Sequence, residues 1–124
     1  MKKIVRAAAA IAGVAALSAL VPTAAHADTL RGSAESRGCL AFLGSTYSGG
    51  HDWVRYTSAN PTSHQCHVNM RTYLSNGQFH DHDDAYLDPY ASYNSGWYLD
   101  SGVRTAVCVD QPEAGDTRFC SVAY

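Results

Sequence analysis

Residues 66–78 read Cys-His-Val-Asn-Met-Arg-Thr-Tyr-Leu-Ser-Asn-Gly-Gln. Over the first nine positions one set of alternate side chains is mostly apolar and the other mostly polar: Cys66, Val68, Met70, Thr72 and Leu74 against His67, Asn69, Arg71 and Tyr73. This alternation is typical of a half-buried β-strand, because successive side chains of a strand point to opposite faces. The Asn-Gly pair that follows is the strongest short signal for a β-hairpin. The stretch therefore predicts an antiparallel strand pair with one buried face.

Other segments repeat the same kind of pattern. Residues 40–47 are apolar and end at Ser48-Gly49-Gly50, residues 53–56 form a short aromatic and β-branched run, and residues 103–109 alternate. After residue 27, no ten-residue stretch carries a sustained helical stripe. Short strands separated by turns predict an all-β fold, a small antiparallel β-sandwich or barrel. Residues 28–38 contain one large apolar residue, Leu30, and are predicted to be a flexible N-terminal arm, leaving residues 39–124 as the β-sandwich domain.

The N-terminus has the three parts of an export signal. Lys2, Lys3 and Arg6 precede an Ala-rich apolar run over residues 7–21, and Ala25-His26-Ala27 follows as a cleavage pattern. We therefore predict a signal peptide at residues 1–27 and a secreted, extracellular product. The apolar run is about fifteen residues, short of the roughly twenty that span a bilayer, although an uncut N-terminal anchor is the alternative. The Ala-rich signal and the later use of arginine alone are typical of actinobacterial proteins.

Removal of residues 1–27 changes the charge balance. The remaining 97 residues contain no lysine, and their six arginines against eleven acidic residues give a net charge of −5. An acidic domain without a basic block is poorly suited to binding nucleic acid or an anionic membrane surface. We therefore expect neither as a partner.

Four cysteines lie in the predicted exported part: Cys39, Cys66, Cys108 and Cys120. In a small exported domain they indicate two disulfides, with three possible connectivities. A zinc site is the competing interpretation, but the chain has no Cys-x-x-Cys pair. A hairpin folded about Ala114 would place Cys108 opposite Cys120, which leaves Cys39 to pair with Cys66.

The densest cluster of possible metal ligands is His80-Asp81-His82-Asp83-Asp84. If it formed a strand, His80, His82 and Asp84 would share one face, and the other two aspartates would lie on the opposite face. The cluster lacks the spaced acids and central glycine of a calcium loop. We expect a solvated loop with no metal and no cofactor, and these three residues are the candidates should a metal bind.

Catalysis is not indicated by any local pattern. There is no Gly-x-Ser-x-Gly motif, and two disulfides would leave no thiol to act as a nucleophile. A two-carboxylate glycosidase needs a deep cleft that a sandwich of this size seldom provides. We therefore predict no catalytic residues and a protein that is not an enzyme.

Aromatic residues are abundant, with eight tyrosines and two tryptophans. Tyrosine and tryptophan supply rigid, amphipathic contact area, so they are enriched at binding surfaces. The alternative is that Trp53, Trp97 and Tyr98 fill a small core. The predicted contacts with another extracellular protein are Leu30, Trp53, Arg55, Tyr56, Tyr86, Tyr90 and Tyr93.

The run Trp53-Val54-Arg55-Tyr56, between Cys39 and Cys66, resembles the Trp-Arg-Tyr tripeptide of tendamistat-type α-amylase inhibitors. Those proteins are small secreted β-sandwiches with two disulfides that block the enzyme with this tripeptide. Here Val54 interrupts the tripeptide and, in a strand, would turn Tyr56 away from Trp53 and Arg55. The resemblance implies an inhibitor of an extracellular hydrolase.

A second resemblance covers most of the predicted exported chain. It rests on Cys-x-Val-x-Met-x-Thr-Tyr at 66–73, Ser-Gly-Trp-Tyr-Leu-Asp-Ser-Gly at 95–102, Val-Cys-Val at 107–109 and Phe-Cys at 119–120. These motifs resemble small secreted actinobacterial β-proteins, among them the adaptor subunits of umbrella toxin particles. The resemblance implies a non-catalytic protein-binding module, with an adaptor in a secreted antibacterial complex as the leading version. An N-terminal arm at residues 28–38 would suit that role.

Overall fold

The computed structural model describes residues 3–5 and 28–124, and its strands account for most of them. The elements are β1 (Lys3–Val5), β2 (Thr29–Ser36), β3 (Cys39–Ser48), β4 (His51–Ala59), β5 (Cys66–Tyr73), β6 (Phe79–Leu87), β7 (Ser92–Asn94), β8 (Tyr98–Leu99), β9 (Arg104–Asp110), a short 3₁₀ helix (Pro112–Ala114) and β10 (Phe119–Cys120). The predicted all-β fold is confirmed. Within the described ranges, no helix is long and apolar enough to cross a membrane.

The strands form two sheets. Sheet A has the order β1-β6-β5-β9-β10, and sheet B has the order β2-β3-β4-β7, with β8 also paired to β4. Neighbouring strands are antiparallel except β1, which runs parallel to the end of β6. The β5–β6 hairpin turns through Asn76-Gly77, as the sequence predicts, and Leu74 N donates to the carbonyl oxygen of Gln78.

The core lies between the inner faces of the two sheets. Its largest fully buried side chains come from both sides: Leu43, Val54 and Tyr56 from sheet B, and Val68, Met70, Leu87, Val107 and Val109 from sheet A. Alternate β5 residues enter this core as predicted, with Cys66, Val68, Met70 and Thr72 all buried. The outer faces of the two sheets and the exposed ends of their strands are therefore the surfaces that can carry a site.

Both predicted disulfides are present, Cys39–Cys66 and Cys108–Cys120. Cys39 begins β3 and Cys66 begins β5, so this bond joins sheet B to sheet A. Cys108 and Cys120 are directly opposite in the β9–β10 pair, as the predicted hairpin requires. Two disulfides are typical of a protein that folds in an oxidising compartment.

Residues 28–38 do not form the flexible arm that their composition suggests. Residues 29–36 make strand β2, which pairs with β3 from Thr29 to Ser36. Arg37 and Gly38 have φ values of 53° and 86°, so they form the tight two-residue turn that favours hairpins. Ala34 enters the core. The strand is held by backbone pairing with β3. Its small and polar residues are compatible with this pairing, but their pattern does not predict a strand.

The predicted signal peptide, residues 1–27, lies outside the described residues except for Lys3–Val5.

The C-terminal segment contacts strand β2. Ser36 Oγ donates to the carbonyl oxygen of Thr117, and the Arg31 guanidinium lies 4.2 Å from the centre of the Tyr124 ring. These contacts close the sandwich along the β2 edge.

Candidate binding surface

Strand β6 contains the His80–Asp84 cluster, which the sequence suggests is a loop. Val68 pairs with Ala85 and Met70 with His82, so both Asp83 and Asp84 lie opposite the single residue Asn69. This is a β-bulge, and Asp83 has a φ of 52° there. The bulge changes the alternation, so Asp84 hydrogen-bonds His67 on the outer face while His82 bonds Thr72. The expectation that His80, His82 and Asp84 share a face is therefore wrong.

Asp83 is the meeting point of three tyrosine hydroxyls. Its carboxylate accepts hydrogen bonds from the hydroxyls of Tyr93 at 2.9 Å and Tyr98 at 2.6 Å, and its backbone carbonyl accepts one from Tyr56 at 2.5 Å. Burial, and then the nearby Asp83 carboxylate, raise the pKa of Tyr56, so this hydroxyl remains a donor. These bonds tie β6 of sheet A to sheet B.

Two of the predicted contact residues therefore have structural roles at this junction. Tyr56 is fully buried, and a partner cannot reach it while the sandwich is closed. The prediction that Tyr56 contacts a partner is therefore wrong. The reason is the alternation of side chains along β4. Tyr56 points into the core, whereas Trp53, Arg55 and Thr57 point outward. Tyr93 is half-buried and packs against the core.

On the outer face of sheet A, one imidazole lies between two carboxylates. His67 Nε2 is 2.7 Å from Asp84 Oδ1, and His67 Nδ1 is 2.7 Å from Asp110 Oδ1. Burial disfavours a charge on this ring, but the hydrogen bonds and charges of the two carboxylates outweigh it and raise the pKa of His67. Tyr86 stacks on the ring, with centroids 4.5 Å apart. Because each ring nitrogen contacts a carboxylate, the protonated, positively charged form of His67 is stabilised.

Arginines extend this network across the sheet. Arg118 Nη1 donates to Asp110 Oδ1 at 3.0 Å, and Arg118 Nη2 donates to Asp81 Oδ2 at 3.2 Å and to Asn69 Oδ1. Arg71 Nε donates to Asp81 Oδ1 at 2.8 Å. With His67 protonated, three carboxylates face three cations. The outer face of sheet A is thus electrostatically self-compensated.

The outer face of sheet B has a different chemistry, which we call the aromatic face: Leu30, Phe42, Trp53, Arg55, Trp97 and Leu99. Leu30 opposes Gly44, and Trp53 opposes Leu99 across the β4–β8 pair. Leu30 is 57 % exposed, Leu99 48 % and Trp97 39 %. The interpretation that Trp53 and Trp97 fill the core is wrong, because they cover the outside of sheet B, whereas Tyr98 does pack against the core.

Polar contacts fix the aromatic face in place. The Arg55 guanidinium lies 4.6 Å from the centre of the Trp97 ring, and Arg55 Nε donates to Asp28 Oδ2 at 2.7 Å. Asp28 packs directly on Gly44, where an added Cβ would lie 2.8 Å from the Asp28 Cβ. Trp53 Nε1 donates to the carbonyl oxygen of Ser48 at 3.1 Å. Each tryptophan therefore has a side-chain contact within the fold that restricts its position.

A shallow groove of about 540 Å³ opens at one end of the aromatic face, lined by Thr46, Tyr47, Ser48, Trp53 and Trp97. Tyr47 is 72 % exposed beside the Gly49-Gly50 turn. The sequence prediction missed Tyr47, Trp97 and Asp28 as part of this surface. For Tyr47, the position of an aromatic residue close to a Gly-Gly turn could have predicted exposure. Asp28 reaches this surface only through the pairing of β2 with β3, which the sequence does not reveal.

The structure thus brings together three of the predicted contacts, Leu30, Trp53 and Arg55, and separates the others. Tyr86 lies on sheet A, and Tyr90, 45 % exposed with a φ of 66°, lies in the turn between β6 and β7. Among the described residues, no group of three or more His, Cys, Asp or Glu side chains is placed to hold a metal ion. Comparison with protein-family models, curated proteins and solved structures found no match to this chain.

Proposed function

We propose that this chain is a secreted, non-catalytic module that binds another extracellular protein through the aromatic face. The observation that carries the proposal is the preorganised set of Trp53, Trp97 and Arg55 on an outer sheet surface. Tryptophan and arginine are the residues most enriched among those that dominate binding energy at protein interfaces. Rigid side chains also lose little entropy on association, which favours affinity. The predicted export signal and the two disulfides support an extracellular location.

The two outer faces differ in what they leave for a partner. Charges on sheet A are paired with one another, so a partner there would have to displace existing ion pairs. On the aromatic face, the charge of Arg55 is already matched by Asp28, and the rest is apolar surface. A contiguous exposed apolar patch on a soluble domain is typical of an interaction site. This contrast favours sheet B as the docking side.

The leading version of the proposal is an adaptor in a secreted antibacterial complex, and the alternative is an inhibitor of an extracellular hydrolase such as α-amylase. The adaptor version no longer draws support from a free N-terminal arm, because residues 29–36 are strand β2. The inhibitor version would present Trp53 and Arg55 without Tyr56. Both versions depend on the same face, so one set of variants tests them.

The main experiment is capture of a stoichiometric partner from the culture supernatant of the source organism, followed by direct titration with the purified partner. We expect Trp53→Ala to weaken binding by at least about 30-fold, the equivalent of about 2 kcal/mol for an interface residue that dominates affinity. Phe79→Ala is the matched control, since Phe79 is an aromatic residue 51 % exposed on sheet A. Equal affinity for both variants, or recovery of the protein alone, would contradict the proposal.

The inhibitor version has a separate test. Purified protein is titrated against α-amylase at micromolar concentration, with the Trp53→Ala variant in parallel. Inhibition that the variant loses would support this version and assign it to the aromatic face. Full enzyme activity at every concentration would exclude α-amylase as the target and leave the adaptor version.

A further inference from the structure

The part of β6 before its bulge places two histidines close together. His80 and His82 are alternate residues of the strand, and their ring centroids lie 5.2 Å apart. A first-row metal ion bonds an imidazole nitrogen at about 2.0–2.1 Å, so it lies roughly 3.2 Å from the ring centre. Two rings at neighbouring coordination positions then have centres about 4.5–5.2 Å apart. The observed separation falls at the upper end of this range, which corresponds to a tetrahedral angle; the 90° angle of tetragonal copper(II) brings the ring centres about 0.7 Å closer.

The ring of His82 is held by its surroundings. Its Nε2 is 2.9 Å from Thr72 Oγ1, and its ring meets the edge of Tyr98 at 4.8 Å between centroids. Metal-binding histidines commonly donate the hydrogen of one ring nitrogen to a neighbouring oxygen, which orients the ring and fixes its tautomer. In the tautomer where Nε2 donates to Thr72, the lone pair of Nδ1 is available to a metal.

Two further features suit this arrangement. Burial and the neighbouring His80 lower the pKa of His82, so the ring is neutral at pH 7, the form that binds metals. His80 is exposed, so its ring can adjust to the position of the ion. One ligand is thus fixed and the other adaptable.

We propose that His80 and His82 form a two-histidine chelating site for a first-row transition metal ion. We expect copper(II) to bind most tightly, because imidazole nitrogen is a good donor for copper(II) and because copper(II) has the highest affinity of the divalent first-row ions. The protein supplies two nitrogens, and water completes the coordination. Asp84 takes no part, since it is engaged with His67 on the outer face. The site goes beyond the proposed protein-binding function, and its two histidines belong to sheet A, whereas the aromatic face is on sheet B.

The test uses copper(II) held by iminodiacetate, a chelator that leaves coordination positions open for two imidazoles. We expect binding at a ratio of one complex per chain by calorimetry, with the electron paramagnetic resonance signal of nitrogen coordination. His80→Ala and His82→Gln should each weaken binding at least tenfold, and Gln retains a polar group opposite Thr72. His51→Ala and His64→Ala are the matched controls, because both histidines are also exposed.

Circular dichroism and urea unfolding of each variant separate loss of the site from loss of the fold. A folded His80→Ala protein that binds copper as tightly as wild type would overturn the proposal. Equal loss in His51→Ala or His64→Ala would also overturn it, by assigning the metal to other surface histidines. Absence of measurable binding to the wild-type protein at millimolar complex would overturn it directly.

Discussion

His67 is the residue whose charge state most affects the outer face of sheet A. An unfolded histidine has a pKa near 6.5, and the two flanking carboxylates raise the pKa in the folded protein. The folded state therefore binds a proton more tightly than the unfolded state. The resulting stabilisation is fully present below the unfolded pKa and is lost as the pH rises through the folded pKa.

We predict that His67→Gln destabilises the protein most at pH values below 6.5. Glutamine can occupy the same space but carries no charge between Asp84 and Asp110. A hydrogen bond to a charged group contributes about 1.5–3 kcal/mol to stability, so we expect the free energy of unfolding to fall by about that amount near pH 6. The difference from wild type should shrink toward pH 9. Urea unfolding across this pH range measures it, with exposed His51→Gln as the control; a pH-independent difference would contradict the assigned charge.

Tyr56 gives a second prediction at this scale, because its hydroxyl bonds the backbone carbonyl of Asp83 between the two sheets. Tyr56→Phe removes this donor and leaves a part-buried acceptor without it, which should lower the free energy of unfolding by about 1–2 kcal/mol. Tyr47→Phe is the matched control, since the Tyr47 side chain is 72 % exposed. Its effect should stay within about 0.5 kcal/mol. Equal effects in urea unfolding would show that the Tyr56 hydroxyl contributes nothing to joining the sheets.

Among the elements, the sequence predicts those whose side chains alternate between core and solvent. Strand β5 is the clearest case, because its inward residues are apolar and an Asn-Gly turn follows it. Strand β6 escapes prediction because its first half bears charged and histidine side chains outside the core, and its outer carboxylates are matched by Arg71 and His67 from β5. Its bulge depends on register with β5 and has no local signal.

The binding surface is predicted in part for a similar reason. Trp53 and Arg55 share a face because they are two apart in one strand, which the sequence reveals directly. Trp97 and Asp28 join them only through tertiary contacts, one over the Arg55 guanidinium and the other across Gly44. Contacts of this kind follow from the order of strands in the sheet, which alternation alone does not determine.

The β2–β3 turn provides a prediction at the scale of elements. Gly38 has a φ of 86°, and a Cβ added there would lie 2.7 Å from Thr62 Cγ2. Gly38→Ala should therefore destabilise the protein through both left-handed backbone strain, about 1–2 kcal/mol, and a steric clash. Gly50→Ala is the control for strain alone, because Gly50 has a φ of 82° and open space around it.

A second substitution separates the two effects. Thr62→Ser removes the Cγ2 methyl group and retains a hydroxyl that can bond Asn60, as Thr62 Oγ1 does. We expect Thr62→Ser to recover part of the stability that Gly38→Ala loses and to recover none in Gly50→Ala. Thermal or urea unfolding of the three single variants and the two double variants measures this coupling. Additive effects of Gly38→Ala and Thr62→Ser would show that the methyl group is not the obstacle.

At the scale of the whole molecule, different interactions hold the two sheets together at different places. The buried core lies between them, the tyrosine hydroxyls at Asp83 join them along β6, and the C-terminal segment closes the β2 edge. Cys39–Cys66 is the covalent link between the sheets, whereas Cys108–Cys120 joins neighbouring strands of sheet A alone. The two disulfides therefore contribute differently to the stability of the sandwich.

We predict that Cys39→Ala/Cys66→Ala destabilises the protein more than Cys108→Ala/Cys120→Ala. The first bond closes a separation of 27 residues and the second a separation of 12, which correspond to about 3.5 and about 2.8 kcal/mol of restricted unfolded-chain entropy. Cys39 and Cys66 are also both fully buried, so alanine leaves unfilled space at both positions, whereas Cys120 is half-buried. Urea unfolding of the two variants under oxidising conditions gives the comparison. A larger loss from Cys108→Ala/Cys120→Ala would mean that the β9–β10 pairing, rather than the link between the sheets, limits the stability of the fold.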